Sequence, residues 1–162
     1  KADEMSLYQN YESKDDISAW ESMLESILFA GFQITAIWPV RNEVYSEKAD
    51  ATRVLIVIRK AERQNQITRR NFINLLKREL PIKLEQLFLG EIDEQDRSLT
   101  AMGAGLQIFS QYKKILNADA SLMSVHDALQ IINQETREYI DQHFNTRGGA
   151  DTITKEEETH AR

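Results

Sequence analysis

Five consecutive apolar residues, Val54-Leu55-Ile56-Val57-Ile58, make the longest uninterrupted apolar run in the chain. Four of the five are β-branched, so the run reads as a strand rather than a helix. Its lack of alternation predicts burial on both faces, which requires strand neighbours and covering helices. A bilayer span needs about twenty such residues, so no membrane association is expected. Upstream, Phe32 to Trp38 alternates Phe, Ile, Ala and Trp with Gln, Thr and Ile and ends at Pro39, a second strand. A helix precedes it. Ser18 with Glu21 reads as a capping box, and Trp20, Met23, Leu24, Ile27 and Leu28 recur at the helical period. Gly31 stops that helix, because only Gly enters the left-handed region cheaply. Residues 39–51 are polar and read as a loop. Residues 17–60 are thus predicted to form helix, strand and antiparallel strand. A two-stranded hairpin is marginal in water. The first sixty residues therefore read as the closing edge of a larger α/β sheet whose other strands lie outside this chain. Residues 1–16 carry no readable signal.

After this α/β unit, residues 67–145 read as mainly helical. Ile67 and Thr68 look like staple and cap, and Phe72, Leu76, Leu80, Leu84 and Phe88 follow at spacings of four. Pro81 falls inside that run and predicts a kink or a junction of two helices. Gly90 ends it. Asp96 to Tyr112 reads as a helix in two pieces, broken near Gly103-Ala104-Gly105; the alternative for these glycines is a close helix contact. Tyr112 to Met123 suggests a small hairpin around Asn117-Ala118-Asp119. Ser124 and Asp127 open a last helix with an apolar stripe from Val125 to Phe144. Residues 146–162, with Gly148-Gly149 and Glu156-Glu157-Glu158, read as a flexible acidic tail. Trp20, Trp38, Phe72 and Phe88 are expected in the core.

The net charge of −6 is unevenly distributed. Residues 53–83 carry nine Lys and Arg against Glu62 and Glu79, a local balance of +7. That is the footprint of a polyanion site or of a solvated helix face. Arg69, Arg70, Lys77 and Arg78 share one helix and are the candidates for phosphate contact. Arg41 and Asn42, just past the first strand, are candidates as well, if that strand opens on the ligand side of a parallel sheet; an Arg41–Glu43 ion pair is the alternative. The absence of Cys excludes disulfides, thiolate metal sites and cysteine nucleophiles. Without a basic-then-apolar leader, the expectation is a cytoplasmic protein. His126, His143 and His160 lack metal-ligand spacing, and Ser110 and Ser124 lack a paired His and carboxylate. No catalytic, cofactor or metal residue is expected in this chain.

The stretch Ala30-Gly31-Phe32-Gln33-Ile34-Thr35-Ala36-Ile37-Trp38-Pro39-Val40-Arg41-Asn42-Glu43, followed by the apolar strand ending at Arg59, resembles the final helix and two strands of adenine-specific DNA methyltransferases. More closely it is similar to the large bacterial adenine-specific DNA methylases that carry an N-terminal domain of unknown function. The resemblance continues through Ile67-Thr68-Arg69-Arg70-Asn71-Phe72, Glu79-Leu80-Pro81, Ala101-Met102-Gly103-Ala104-Gly105 and Phe109-Ser110-Gln111-Tyr112, and ends near Ala128 to Asn133, covering about residues 17–141. Where the family tends to have Asp-Gly, this chain has Asp119-Ala120, and Arg53 replaces a small residue. The resemblance implies a Rossmann-like parent enzyme that binds S-adenosylmethionine and methylates adenine N6 in double-stranded DNA. It implies nothing catalytic here: the Asn/Asp-Pro-Pro-Tyr-type loop that holds a flipped adenine is absent, and so is a Gly-rich cofactor turn after a strand. The chain reads as the C-terminal portion of such a methylase, partnered by the rest of the methyltransferase domain and binding no cofactor alone. The alternatives are a non-enzymatic helical DNA- or protein-interaction module of a methylase or defence complex, and a stand-alone small domain.

Overall fold

A computed structural model describes residues 4–11, 17–40 and 52–145. The loop containing Arg41 and Asn42, the tail at 146–162 and His160 lie outside the described residues. The elements are β1 (Glu4–Tyr11), α1 (Ile17–Phe29), β2 (Phe32–Val40), β3 (Thr52–Lys60), β4 (Gln64–Thr68), α2 (Arg69–Phe88), α3 (Glu94–Phe109), β5 (Tyr112–Leu116) and α4 (Val125–Ile140), with a π-helical turn at Asp141–Asn145. The molecule is mixed α/β, with two small sheets.

The first sheet has the order β1-β3-β2. β3 is antiparallel to both neighbours, with Leu7 opposite Ile56 on one side and Ile37 opposite Ile56 on the other. β1 and β2 therefore run parallel, joined through α1 with β3 between them. This corrects the sequence reading in two ways. β3 finds both of its neighbours within this chain, and β1, which carried no readable signal, is one of them. β3 is also not buried equally on its two faces. Val54, Ile56 and Ile58 are buried, whereas Leu55 and Val57 are only partly covered.

β2 departs from simple alternation. Its register with β3 slips between Ile34 and Ala36, so Thr35 is an inserted residue. A bulge of this kind reverses which positions face the core. Ile34 and Ile37, three apart, are accordingly both buried, and Trp38 is only half-buried rather than core. Pro39 sits within the strand, which continues to Val40. The strand edge facing away from β3 is closed by α3. The Ser110 hydroxyl, fully buried, accepts from the Ile34 amide at 3.0 Å and donates to the Ile34 carbonyl at 3.1 Å. One side chain thus supplies both bonds that a further strand would have made there.

Gly103 and Gly105 do not break α3, which runs unbroken to Phe109. A Cβ on Gly103 would lie 2.4 Å from the Ile37 backbone nitrogen, and one on Gly105 would lie 2.4 Å from Ile132 Cγ2. The glycines let one helix press against the sheet edge on one side and against α4 on the other. α2 is likewise unbroken at Pro81. Proline inside a helix costs about 3 kcal/mol. Phe72, Leu76, Leu80 and Leu84 are all buried, and each such burial is worth about 2 kcal/mol. The core therefore outweighs the proline. Phe72 packs edge-on against Phe109, with centroids 5.7 Å apart.

The caps of the later helices are as the sequence indicates. The Thr68 hydroxyl accepts from the Asn71 amide at 3.3 Å, and the Ser124 hydroxyl accepts from the Asp127 amide at 3.1 Å. α1 ends at a Gly31 with φ of 89°. It begins at Ile17, ahead of Ser18, and the Glu21 carboxylate meets His126 of α4. The second sheet joins β4, which carried no strand signal, to β5 in parallel. The hairpin expected at 112–123 survives as a tight turn: Leu116 bridges Leu122, and the Met123 amide donates to the Ile115 carbonyl at 2.8 Å. In that turn Ala120 has φ of 65°, the left-handed conformation that suits glycine.

Candidate functional site

The basic segment is largely engaged inside the molecule. Of its nine cations, Arg59 donates to Gln33 Oε1 at 3.0 Å, Arg69 to Asn117 Oδ1 at 3.2 Å and Lys83 to Gln107 Oε1 at 3.0 Å. Lys77 lies 3.5 Å from Glu135 of α4, and Arg78 lies 3.7 Å from Glu79. Of the four helical candidates, Arg69 is half-buried, whereas Arg70, Lys77 and Arg78 are exposed. Arg70, together with Arg53 and Lys60, is exposed and makes no ion pair among the described residues. Arg41 and Asn42 lie outside the described residues.

Arg63 holds a different role. Its guanidinium donates to the Leu28 carbonyl at 2.9 Å and to the Tyr112 carbonyl at 2.5 Å. It therefore staples the last turn of α1 to the start of β5. Burial pushes its pKa down, yet a guanidinium stays charged.

A groove opens beside this staple. Its wider part, 570 Å³, is lined by Leu28, Phe29, Gly31, Glu62, Arg63 and Lys113, with Ala61. A narrower part, 200 Å³, shares Leu28, Phe29, Arg63 and Lys113 with it and runs in over Phe109, Ile115 and Met123. Phe29 is 96% exposed and Leu122 is 60% exposed, and both border this narrower part. Cations there are Arg63, Lys113 and Lys114; the carboxylate is Glu25. The lining offers no imidazole, and its one hydroxyl from Ser, Ser124, is taken by the α4 cap. Sequence reasoning did not find this groove, although Phe29 falls just off the Trp20–Leu28 stripe, an apolar residue on the wrong side of its helix.

The histidines serve contacts between elements. His126 Nδ1 lies 2.8 Å from Glu21 Oε1, and its Nε2 lies 2.9 Å from Gln130 Nε2. The Glu21 carboxylate raises the His126 pKa above its ordinary value, with Asp127 adding to the effect. His143 stacks on Tyr139 at 4.0 Å, next to Phe88 and Phe144, with Arg97 lying 4.3 Å from the Phe144 ring centroid. Among the described residues, no three His, Asp or Glu side chains converge to hold a metal ion. None of the described helices is long and apolar enough to cross a membrane. No family model, no curated protein and no solved structure matches the chain.

Proposed function

We propose that this chain is the C-terminal part of an S-adenosylmethionine-dependent, adenine-specific DNA methyltransferase. In this reading its strands close one edge of the catalytic Rossmann-like sheet, and its helical part locks that edge. The observation that carries the reading is the sheet itself. β1 and β2 are parallel and joined through α1, the crossover unit from which doubly wound sheets are assembled. The β2 edge is closed by Ser110 and α3, whereas the outer edge of β1 has no strand against it among the described residues. Further strands would therefore join at β1.

The one G-x-G segment among the described residues does not fit a cradle for S-adenosylmethionine. The Gly103-Ala104-Gly105 segment lies in mid-helix, packed against Ile37 and Ile132, with no space for a cofactor. The chain's own contribution to the reaction is to support the sheet and to place cations near DNA. With Lys77 and Arg78 close to carboxylates, Arg70 is the residue of α2 best placed for phosphate contact, and Arg41 and Asn42 remain candidates from the preceding loop.

The test is methyl transfer from tritiated S-adenosylmethionine to unmethylated duplex DNA by the intact protein. N6-methyladenine is expected with the intact protein and none with the 162-residue chain alone. Failure of the intact protein to methylate adenine in any duplex overturns the reading. In the active enzyme, Arg70→Gln is expected to weaken cognate and random duplexes equally and to lower the salt slope by about one. Of the second reading, a non-enzymatic DNA- or protein-interaction module, the groove beside Phe29 favours the protein-binding form.

A further inference from the structure

We propose that the groove beside Phe29 is a docking site for an acidic polypeptide segment, which lies along the wide part and inserts one large apolar side chain into the narrow part. This inference is independent of the methylase reading.

Five observations lead to it. Only four large apolar side chains are exposed among the described residues, namely Phe29, Ile82, Leu89 and Leu122, and two of them border this one groove. Apolar side chains rimmed by polar ones mark interaction sites. The narrow part, at 200 Å³, is smaller than the roughly 300–1,000 Å³ of small-molecule sites, which suits a single anchoring side chain. Its floor is apolar, from Leu28, Phe109, Ile115 and Met123. Across both parts the groove carries three cations, Arg63, Lys113 and Lys114, against Glu25 in the narrow part and Glu62 in the wide part, a net positive lining. Carboxylates flanking an apolar anchor complement that pattern. A phosphate backbone would meet the cations but leave the apolar floor unfilled, so nucleic acid fits less well. The walls are also fixed in advance: the Arg63 staple ties α1 to β5, and Gly31 turns the chain sharply away from Phe29. A preformed groove loses little entropy on binding.

The test pans a random dodecapeptide display library against the full chain and then measures the enriched peptide by fluorescence anisotropy. Enriched sequences are expected to carry Leu, Phe or Met flanked by Asp or Glu. Affinity should fall at least tenfold in Phe29→Ser and in the double variant Lys113→Glu/Lys114→Glu. The double variant should regain binding to a peptide whose acidic residues are replaced by Lys. Leu122→Ser serves as a second apolar variant should Phe29→Ser lose its fold by circular dichroism. Enrichment of basic or uncharged peptides, or of none, overturns the proposal. So does binding that survives these substitutions, or displacement of the peptide by a twelve-residue oligothymidine. If Phe29→Ser instead abolishes self-association in sedimentation, the surface joins two copies of this chain and the proposal fails.

Discussion

The two parts of this molecule close themselves differently. From α2 onward, the helical part packs its helices against one another, caps two of the three with its own hydroxyls and ties Arg69, Lys77 and Lys83 to side chains of other segments. The three-stranded sheet before it depends on borrowed closure. One edge is finished by a serine from the helical part, the other by nothing among the described residues, and the outward side of β3 is only partly covered. A unit sealed on one side and open on the other is suited to being joined to something else.

The largest effect is expected where the two parts meet. Gly103→Ala sets a Cβ 2.4 Å from the Ile37 backbone nitrogen, and backbone cannot rotate away. Urea unfolding should show a loss of about 3 kcal/mol. Gly105→Ala meets the buried, β-branched Ile132 side chain, with Cγ2 at 2.4 Å, and should be destabilising as well. If Gly103→Ala is neutral, the close joint between sheet and helix is not a feature of the molecule.

Arg63→Met should come next. It leaves the Leu28 and Tyr112 carbonyls without their donor while keeping most of the apolar stem. Hydrogen bonds from a charged group are worth roughly 1.5–3 kcal/mol each, so a loss of about 3 kcal/mol is expected from this half-buried pair. Ser110→Ala should cost about 2 kcal/mol, because the Ile34 amide and carbonyl lose their partner together. Hydrogen exchange sharpens the contrast. The Ile34 amide, protected in the parent chain, should exchange quickly in the variant, whereas outward-facing amides of β1 should exchange quickly in both.

Ala120→Gly should act in the opposite direction. A left-handed residue with a Cβ costs about 1–2 kcal/mol, offset in part by the chain entropy of glycine, so a gain of about 0.5 kcal/mol in urea unfolding is expected. The smallest effect concerns His126, at the contact of α1 with α4. Its pKa is raised by Glu21, so the charged form is favoured in the folded state. The stabilisation is fully present below about pH 6.5, the ordinary imidazole value, and is lost as pH rises through the elevated one. Proton NMR of the His126 ring should place its midpoint above the ordinary value, and Glu21→Gln should lower it. An unshifted midpoint would separate α1 from α4 electrostatically.

Legibility in the sequence followed the range of the interactions. Thr68 and Ser124 were readable as caps because each bonds an amide three residues away. β1 was not, because Glu4 pairs with Arg59 and nothing in residues 4–11 announces that partner. The Thr35 bulge was hidden because an inserted residue leaves alternation apparently intact while exchanging the faces, which is why Trp38 seemed to belong to the core. Gly103 and Gly105 read equally well as a break or as a close contact, and only Ile37 and Ile132 decide between them. The basic segment was visible as a charge surplus, but its partners Gln33, Gln107, Asn117 and Glu135 come from three other elements and the turn after β5. The groove needed Arg63 to bring α1 and β5 together, a junction that neither segment specifies alone.

The bond between Ser110 and Ile34 spans 76 positions along the chain. At a synthesis rate of roughly 5–20 residues per second, Ser110 follows Ile34 out of the ribosome by about 4–15 seconds. For that interval β2 is an uncapped edge on a nascent chain, able to pair with any passing strand. The helical part thus acts as a late safeguard against misassembly during synthesis. A premature stop between β3 and Ser110 would release a product whose β2 edge stays open.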